Sequence, residues 1–454
     1  MFVGFDYGSA NCAIGVWQNN RAELVPLEQD NCYLPSSLYA LHPSLIVHQV
    51  NQGLQCKDLR ADFQRTRAPL LNSLAFAKSE FDLQDDECVV HIGRDAVEQY
   101  IANPEEGHYI KSPKSFFGAV GLKPSQLDFF EDIATVMIMA LKQRAEAHLG
   151  QSLTSTVIGR PVNFQAIGAE QSNQQALTIL SNAAKKAGFI DVEFLYEPLA
   201  AGIDFETTLT ENKKVLVIDI GGGTTDCSFV QMGPDFRDKT DRQADFLAHS
   251  GKRIGGNDLD ISLAYHGLMP LFGAKTALKS GLEIPNQPFW QACKINDVIL
   301  QSEFYSEKNL RHLQQIFKEV KQPDLFNRLI NLQQNKQGHQ LVRAAELAKI
   351  ALSSTAETRV ELNDFEKNLV QQLNQAQLAQ AIAGSISQVV SLAQDAISEA
   401  ATVPDIIYLT GGSAQSPLLK QALQLALGDI PMLNGDHFGS VTAGLTKRAM
   451  QLFS

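Results

Sequence analysis

Asp219 ends the apolar run Val215–Ile220 (VLVIDI), whose branched residues predict a strand buried on both faces. Gly221, Gly222 and Gly223 follow, then Thr224 and Thr225, and Asp226 opens a second apolar run, giving strand, glycine turn, strand. Such glycines can take positive φ and let backbone N–H groups approach an anion closely. A carboxylate beside those donors repels phosphate unless a divalent cation lies between them. The chemistry implied is binding of a metal-complexed phosphate; for this stretch alone a tight hairpin with a solvated Asp is the other reading. The N-terminus repeats the grammar in MFVGFDYGSANCAIGVW: apolar run, Asp6, Gly8, Ser9, Ala10, Asn11, apolar run. Two such units, far apart in the chain, can face one another from separate lobes and offer both turns to one polyphosphate.

The elements that must position these groups follow in order. Residues 1 to about 40 read as strands, the first hairpin leading to a meander through Leu24–Leu27 and Ser36–Leu41. Residues from about 43 to 102 are mixed, with charged helical patches and a short strand at Val89–Ile92, and carry little evident chemistry. Lys111 and Lys114 stand in a Ser/Pro context that reads as a solvated loop. Gln126–Leu149 predicts a long helix ended by Gly150, and Gln171–Ala187 another capped by Gly188. Between them Thr156–Gly159 reads as a strand, and Val192–Tyr196 as a strand ending at Glu197, either a surface carboxylate or a site residue. Gly255, Gly256 and Asn257 open a helix, where free N–H groups form an anion site or Asn/Asp merely caps the turn. Residues 270–335 are polar, Gln-rich and irregular between helical pieces.

On the helix Gln340–Ser354, Glu346, Lys349 and Ser353 share one polar stripe, an ordinary surface pair or, facing a cleft, groups for a ribose and purine edge. The strand Asp405–Thr410 runs into Gly411, Gly412 and Ser413, a turn flat enough to lie against an aromatic base, and then the helix Pro417–Leu427. Gly439–Phe453 closes the chain as a helix.

Composition narrows the class. The 454 residues are 44% hydrophobic and 19% charged, with a formal net charge of −12, the profile of a soluble globular body of two or three domains. That acidity argues against nucleic acid, which needs a basic face. No apolar run reaches the roughly 20 residues of a membrane span, so no membrane association is expected. The six cysteines are scattered without metal spacing and read as buried thiols of a reducing, cytoplasmic compartment.

The ordered set GFDYGSAN, PKSFFG, VIGRPVNF, LYEPLAAG, VIDIGGGTTD, IGGNDLD, AAELAKIALSS and YLTGGSAQSP resembles the actin-like ATPase domain of the DnaK-type heat-shock chaperones, with its YegD-like divergent branch the nearest in pattern. The resemblance implies an α/β, two-lobed actin-like ATPase fold of duplicated ribonuclease-H-like lobes with inserted subdomains, and no peptide-binding β-sandwich. Lobe I would span 1–212 with an insertion at about 43–115. Lobe II would span 213–454 with an insertion at about 257–340, its last helix packing back on lobe I. It implies ATP/ADP and Mg²⁺ as cofactors: Asp6, Glu197 and Asp219 holding the metal mainly through water, and Gly8–Asn11 and Gly221–Thr224 cradling the phosphates. Lys114 would place positive charge beside the γ-phosphate. Thr224 and Asp226 would orient the γ-phosphate and the attacking water. Gly255, Gly256 and Asn257 would line the phosphate side, and Glu346, Lys349, Ser353, Gly411, Gly412 and Ser413 would hold the adenosine.

Several residues depart from the family pattern. Ser9 and Ala10 replace two threonines, Gly159-Arg160 an apolar pair before the relay proline Pro161, and Gln415 an Arg that stacks on adenine. Phe438 stands in place of an Asp, with Asp436 two residues earlier. The leading expectation is a slow Mg-dependent ATPase, chaperone-like, acting on a co-chaperone or client protein through lobe closure. A small-molecule kinase, an actin-like filament subunit and a non-hydrolysing nucleotide sensor are the competing readings.

Overall fold

Two sheets share one strand order. A computed structural model describes all residues except 85–88, 104–105, 166–168, 238, 240–241 and 436–438. In the first sheet the order is Arg21–Leu24, Asn11–Gln18, Phe2–Tyr7, Ser155–Arg160, Asp191–Tyr196. In the second it is Phe246–Lys252, Thr225–Met232, Lys213–Ile220, Ile406–Thr410, Met432–Asn434. Each begins with antiparallel pairs and continues with parallel ones, so the lobes are structural duplicates. The register equates Asp6, opposite Ala13, with Asp219, opposite Asp226. The second carboxylate of the hairpin thus exists in one lobe only.

Each sheet has its own core, and a third apolar cluster joins them. That junction packs the helices Glu197–Glu206 and Gly439–Phe453 between the sheets through Ala200, Phe205, Val217, Tyr408, Val441 and Leu445. The terminal helix lies so close that a Cβ on Gly444 would meet the Ala200 carbonyl oxygen at 1.8 Å. No helix among the described residues is long and apolar enough to cross a membrane.

Local structure follows the sequence signals at most elements. The helix Pro124–Leu149 starts on Pro and stops at Gly150, whose φ of 65° is left-handed. Helices Gly338–Leu352 and Pro417–Leu427 form as expected. Two segments differ. Residues 25–27 are not a strand; after Arg21–Leu24 the chain reaches Leu34–Pro35, and Ser37–Ala40 pairs in a separate three-stranded sheet with Val90–Ile92 and His108–Lys111. Residues 287–334 are mainly helical, in Gln287–Cys293, Val298–Phe304, Glu307–Phe317 and Pro323–Gln334. Their polar faces mask the period with which Phe289, Phe304, Leu313, Phe326 and Leu329 are fully buried. Cys12, Cys227 and Cys293 are buried free thiols, but Cys32 is half-buried and Cys56 exposed, while Cys88 lies outside the described residues.

Candidate functional site

The hairpin turns of the two lobes meet. A Cβ on Gly222 would stand 2.8 Å from the Ala10 Cβ, and one on Gly223 would stand 3.2 Å from Ser9 Oγ. None of Gly8, Gly221, Gly222 or Gly223 has positive φ, so the conformational freedom that glycine allows there is not used. These glycines serve close approach. Gly411 does take a φ of 86°, and a Cβ there would meet Ile220 O at 2.4 Å and Asp219 Oδ1 at 2.7 Å.

Around this contact opens a cleft of about 610 Å³. From lobe I it is lined by Asp6, Gly8, Ser9, Ala10, Asn11 and Glu197. From the central hairpin come Asp219, Gly221, Gly222 and Thr224, and from the following helix Gly256 and Asn257. Glu346, Lys349, Ser353, Gly411, Gly412 and Ser413 complete the wall, so both hairpins and the polar helix stripe share one cavity. Gln415 lines it too; Asp436 and Phe438 lie outside the described residues.

Four expected residues stand behind the wall. Lys114 is 3% exposed, its ammonium bound to Glu197 Oε1 and to the Gly159 carbonyl at 3.2 Å. The solvated-loop reading of this segment is therefore overturned: Ser112 takes a left-handed φ of 57° and turns Pro113–Phe116 inward. Asp226 is 1% exposed and accepts from Val162 N at 2.8 Å, and its Oδ2 is buried with no hydrogen bond of good geometry among the described residues. Gly223 touches Ser9, and Gly255 backs the hairpin. The helix start is not a free anion site as expected, because Gly256 N and Asn257 N donate to the Gly221 and Gly222 carbonyls at 2.9 and 2.8 Å. Those hydrogen bonds brace the phosphate-type turn instead.

Electrostatics explain what the cleft can hold. Burial, then the Glu197 charge, pushes Asp6 up to about 7, with Lys114 opposing. Burial and the charges of Glu197, Asp226 and Asp6 raise Asp219 well above the carboxylate range. Asp226 is pushed up to about 8 by burial and Glu197. Crowded oxygen ligands of this kind suit a hard cation such as Mg²⁺, whose charge relieves the mutual repulsion. Among the described residues no three His, Cys, Asp or Glu side chains are grouped closely enough to wrap a bare ion.

Sequence reasoning missed the groups that tie the cleft walls together. Glu346 is paired with Lys111 of lobe I at 3.2 Å and with Arg343 at 2.8 Å. These cations outweigh burial and hold its carboxyl down at about 2. Lys349 pairs with Asp260 at 2.7 Å, so part of the polar stripe is already engaged. Asn257 Nδ2 donates to Ser112 Oγ at 3.0 Å across the lobes. Nearby, Tyr100 and Tyr109 stack at 4.5 Å, and His339 of lobe II sits edge-on to both at 5.7 and 5.0 Å. Tyr100, from the segment expected to carry little chemistry, thus joins Tyr109 and His339 in an aromatic cluster that lines a cavity separate from the cleft. Only the i, i+3, i+4 spacing could have flagged Asp260 and Ile350 beside the stripe; nothing local marks Lys111 or His339.

The Hsp70 protein family profile matches residues 123–280. A chaperone protein DnaK of Cyanidioschyzon merolae is 24% identical over 464 residues, an alignment covering 98% of this chain and 61% of that protein. The chain is thus similar to Hsp70/DnaK-type proteins along nearly its whole length. Its duplicated lobes are the actin-like ATPase fold of that family. The chain spans about 61% of the length of the curated relative it matches. The profile takes in Glu197, the central glycine turn and Gly255–Asn257, whereas Asp6 and the Glu346 stripe fall outside it.

Proposed function

We propose that this chain binds ATP with Mg²⁺ in the cleft between its lobes and hydrolyses it slowly, closure of the lobes being the output passed to a separate co-chaperone or client protein. The observation that carries the reading is the convergence of both acid-tipped hairpins, the helix stripe and Gly411–Ser413 on one cavity. Asp6, Glu197 and Asp219 would hold the metal through water, where it would neutralise phosphate charge. The turns at Gly8–Asn11 and Gly221–Thr224 would cradle the phosphates, and Glu346, Lys349, Ser353, Gly411, Gly412 and Ser413 the adenosine. Asp226 would orient the attacking water or take its proton at Oδ2, the buried atom with no hydrogen bond of good geometry among the described residues. Lys114 would supply the compensating positive charge. Phosphoryl transfer is mostly positioning and electrostatics, so few groups need react. A cytoplasmic setting fits the free thiols.

A binding-only sensor is favoured by one observation, the engagement of Lys114 by Glu197 and Gly159 behind the cleft wall. Phosphate release from purified protein with Mg-ATP and no acceptor separates the two. Turnover in the wild type that falls about 100-fold or more in Lys114→Ala, with ATP binding kept, supports hydrolysis. Equal loss of binding and turnover rejects the assigned role, and no turnover in either protein leaves the sensor. A melting curve is needed alongside, since removing one member of a buried pair costs roughly 3–5 kcal/mol.

A further inference from the structure

Arg160, which departs from the family pattern, takes no part in the nucleotide cleft. It ends the strand Ser155–Arg160, and its guanidinium lies over the Tyr196 ring, 4.7 Å from the centroid. It lines a second cavity of about 640 Å³, together with Arg237, Lys239, Arg242, His249 and Arg448. The apolar floor includes Phe194, Leu199 and Phe246.

The charge accounting is lopsided. Arg242 is neutralised by Glu206 at 2.8 Å and Asp245 at 2.6 Å, and Lys239 by Asp245 at 3.0 Å. Arg160 donates to the Pro161 and Val162 carbonyls, both at 3.2 Å, and Arg237 to the Glu206 and Leu209 carbonyls. Among the described residues Arg448 reaches only Gln451 Oε1, at 3.5 Å. Among the described residues no carboxylate lines this cavity, in a chain with 50 acidic and 38 basic residues. The Asp226 and Glu197 charges reach Arg160, but among the described residues neither Arg160 nor Arg448 has an ion-pair partner; a half-buried guanidinium without one is costly, and an anion entering the cavity recovers that cost.

We propose that this cavity binds a small organic polyanion carrying at least two phosphate or carboxylate groups on a compact frame, anchored by the Arg160 and Arg448 guanidinium groups. Guanidinium forks match both groups bidentately, while Tyr196 and the apolar floor pack against the frame. The site is distinct from the nucleotide cleft and does not depend on the nucleotide reading. It also borders that cleft: Tyr196 lines one cavity and Glu197 the other, and Val162, which lines the basic one, donates its N–H to Asp226.

The test is calorimetric titration at low salt in EDTA without nucleotide, using pyrophosphate, citrate and fructose 1,6-bisphosphate as probes. Saturable one-to-one binding of at least one probe is expected, and the tighter of phosphate or carboxylate probes identifies the preferred group. The double variant Arg160→Gln/Arg448→Gln should bind it about tenfold more weakly or worse, and Lys349→Ala, in the acidic cleft, should bind it as the wild type does. Should the double variant melt early, Arg448→Glu alone carries the comparison. Absence of saturable binding by every probe, binding indifferent to the Arg substitutions, or binding lost in Lys349→Ala overturns the proposal.

Discussion

The acidic cleft and the basic cavity flank the same junction yet carry opposite imbalances of charge. The cleft gathers Asp6, Glu197, Asp219, Asp260 and Glu346 around Lys349 as its single lining cation among the described residues. The cavity gathers arginines and lines them with no described carboxylate. Neighbouring residues divide between the two: the Gly159 carbonyl binds Lys114 behind the cleft, while the Arg160 side chain faces the cavity. On the readings proposed above, each would take a ligand of the opposite sign. A net charge of −12 therefore describes neither site, because burial confines each field to its own walls.

Removing Mg²⁺ is the harshest way to test that contrast. In EDTA the affinity for ATP should fall by about 100-fold as the polyphosphate meets unshielded Asp6, Glu197 and Asp219. Pyrophosphate binding to the arginine-lined cavity should persist. Parallel loss in calorimetry would mean that one site accounts for both signals.

The aromatic cluster of Tyr100, Tyr109 and His339 gives a second contrast, since His339 stands on the same helix as Glu346 of the acidic cleft. Burial, with Lys111 adding to it, holds His339 neutral and pushes its pKa down to about 3, and its Nδ1 is buried without a partner. The folded value lies below the unfolded value of 6.5, so the stability is fully present above pH 6.5. It is lost as pH falls towards about 3, by about 1.4 kcal/mol per unit, because the unfolded chain takes the proton first. His339→Phe should flatten that part of a denaturant-derived stability profile; an unchanged slope assigns the acid sensitivity elsewhere.

The smallest effect expected is that of Glu346→Ala. Nucleotide affinity should drop roughly fivefold, with kcat within about twofold, because the carboxylate is already shared with Lys111 and Arg343. A fall in kcat as large as that in affinity would place Glu346 nearer the chemistry than its ion pairs suggest.

Much of the site was legible because its grammar is local. A β-branched run, an Asp and a glycine turn are contiguous, and their recurrence marked the two lobes before any coordinates. The helix stripe Glu346–Lys349–Ser353 was readable from a 3.6-residue period. Positive φ and close approach both call for glycine, so sequence cannot separate them; at Gly222, packed against Ala10, close approach is the reason. Lys114 was misplaced for a similar cause. A Ser/Pro-flanked lysine resembles a solvated one until its partner, Glu197, is brought to it from a distant strand end.

From residue order alone came the duplicated strand–Asp–turn units, the cap positions of the long helices and the groups able to face a triphosphate. Each rests on interactions spanning a few residues, so the chain writes them in its own spacing. The charge of each cavity, the Lys111–Glu346 bridge, the Tyr100–Tyr109–His339 cluster and the gathering of arginines around Arg160 were decided only in three dimensions. Long-range contact and burial determine whether a charge meets a partner, and neither is encoded in the neighbours of the residue that carries it.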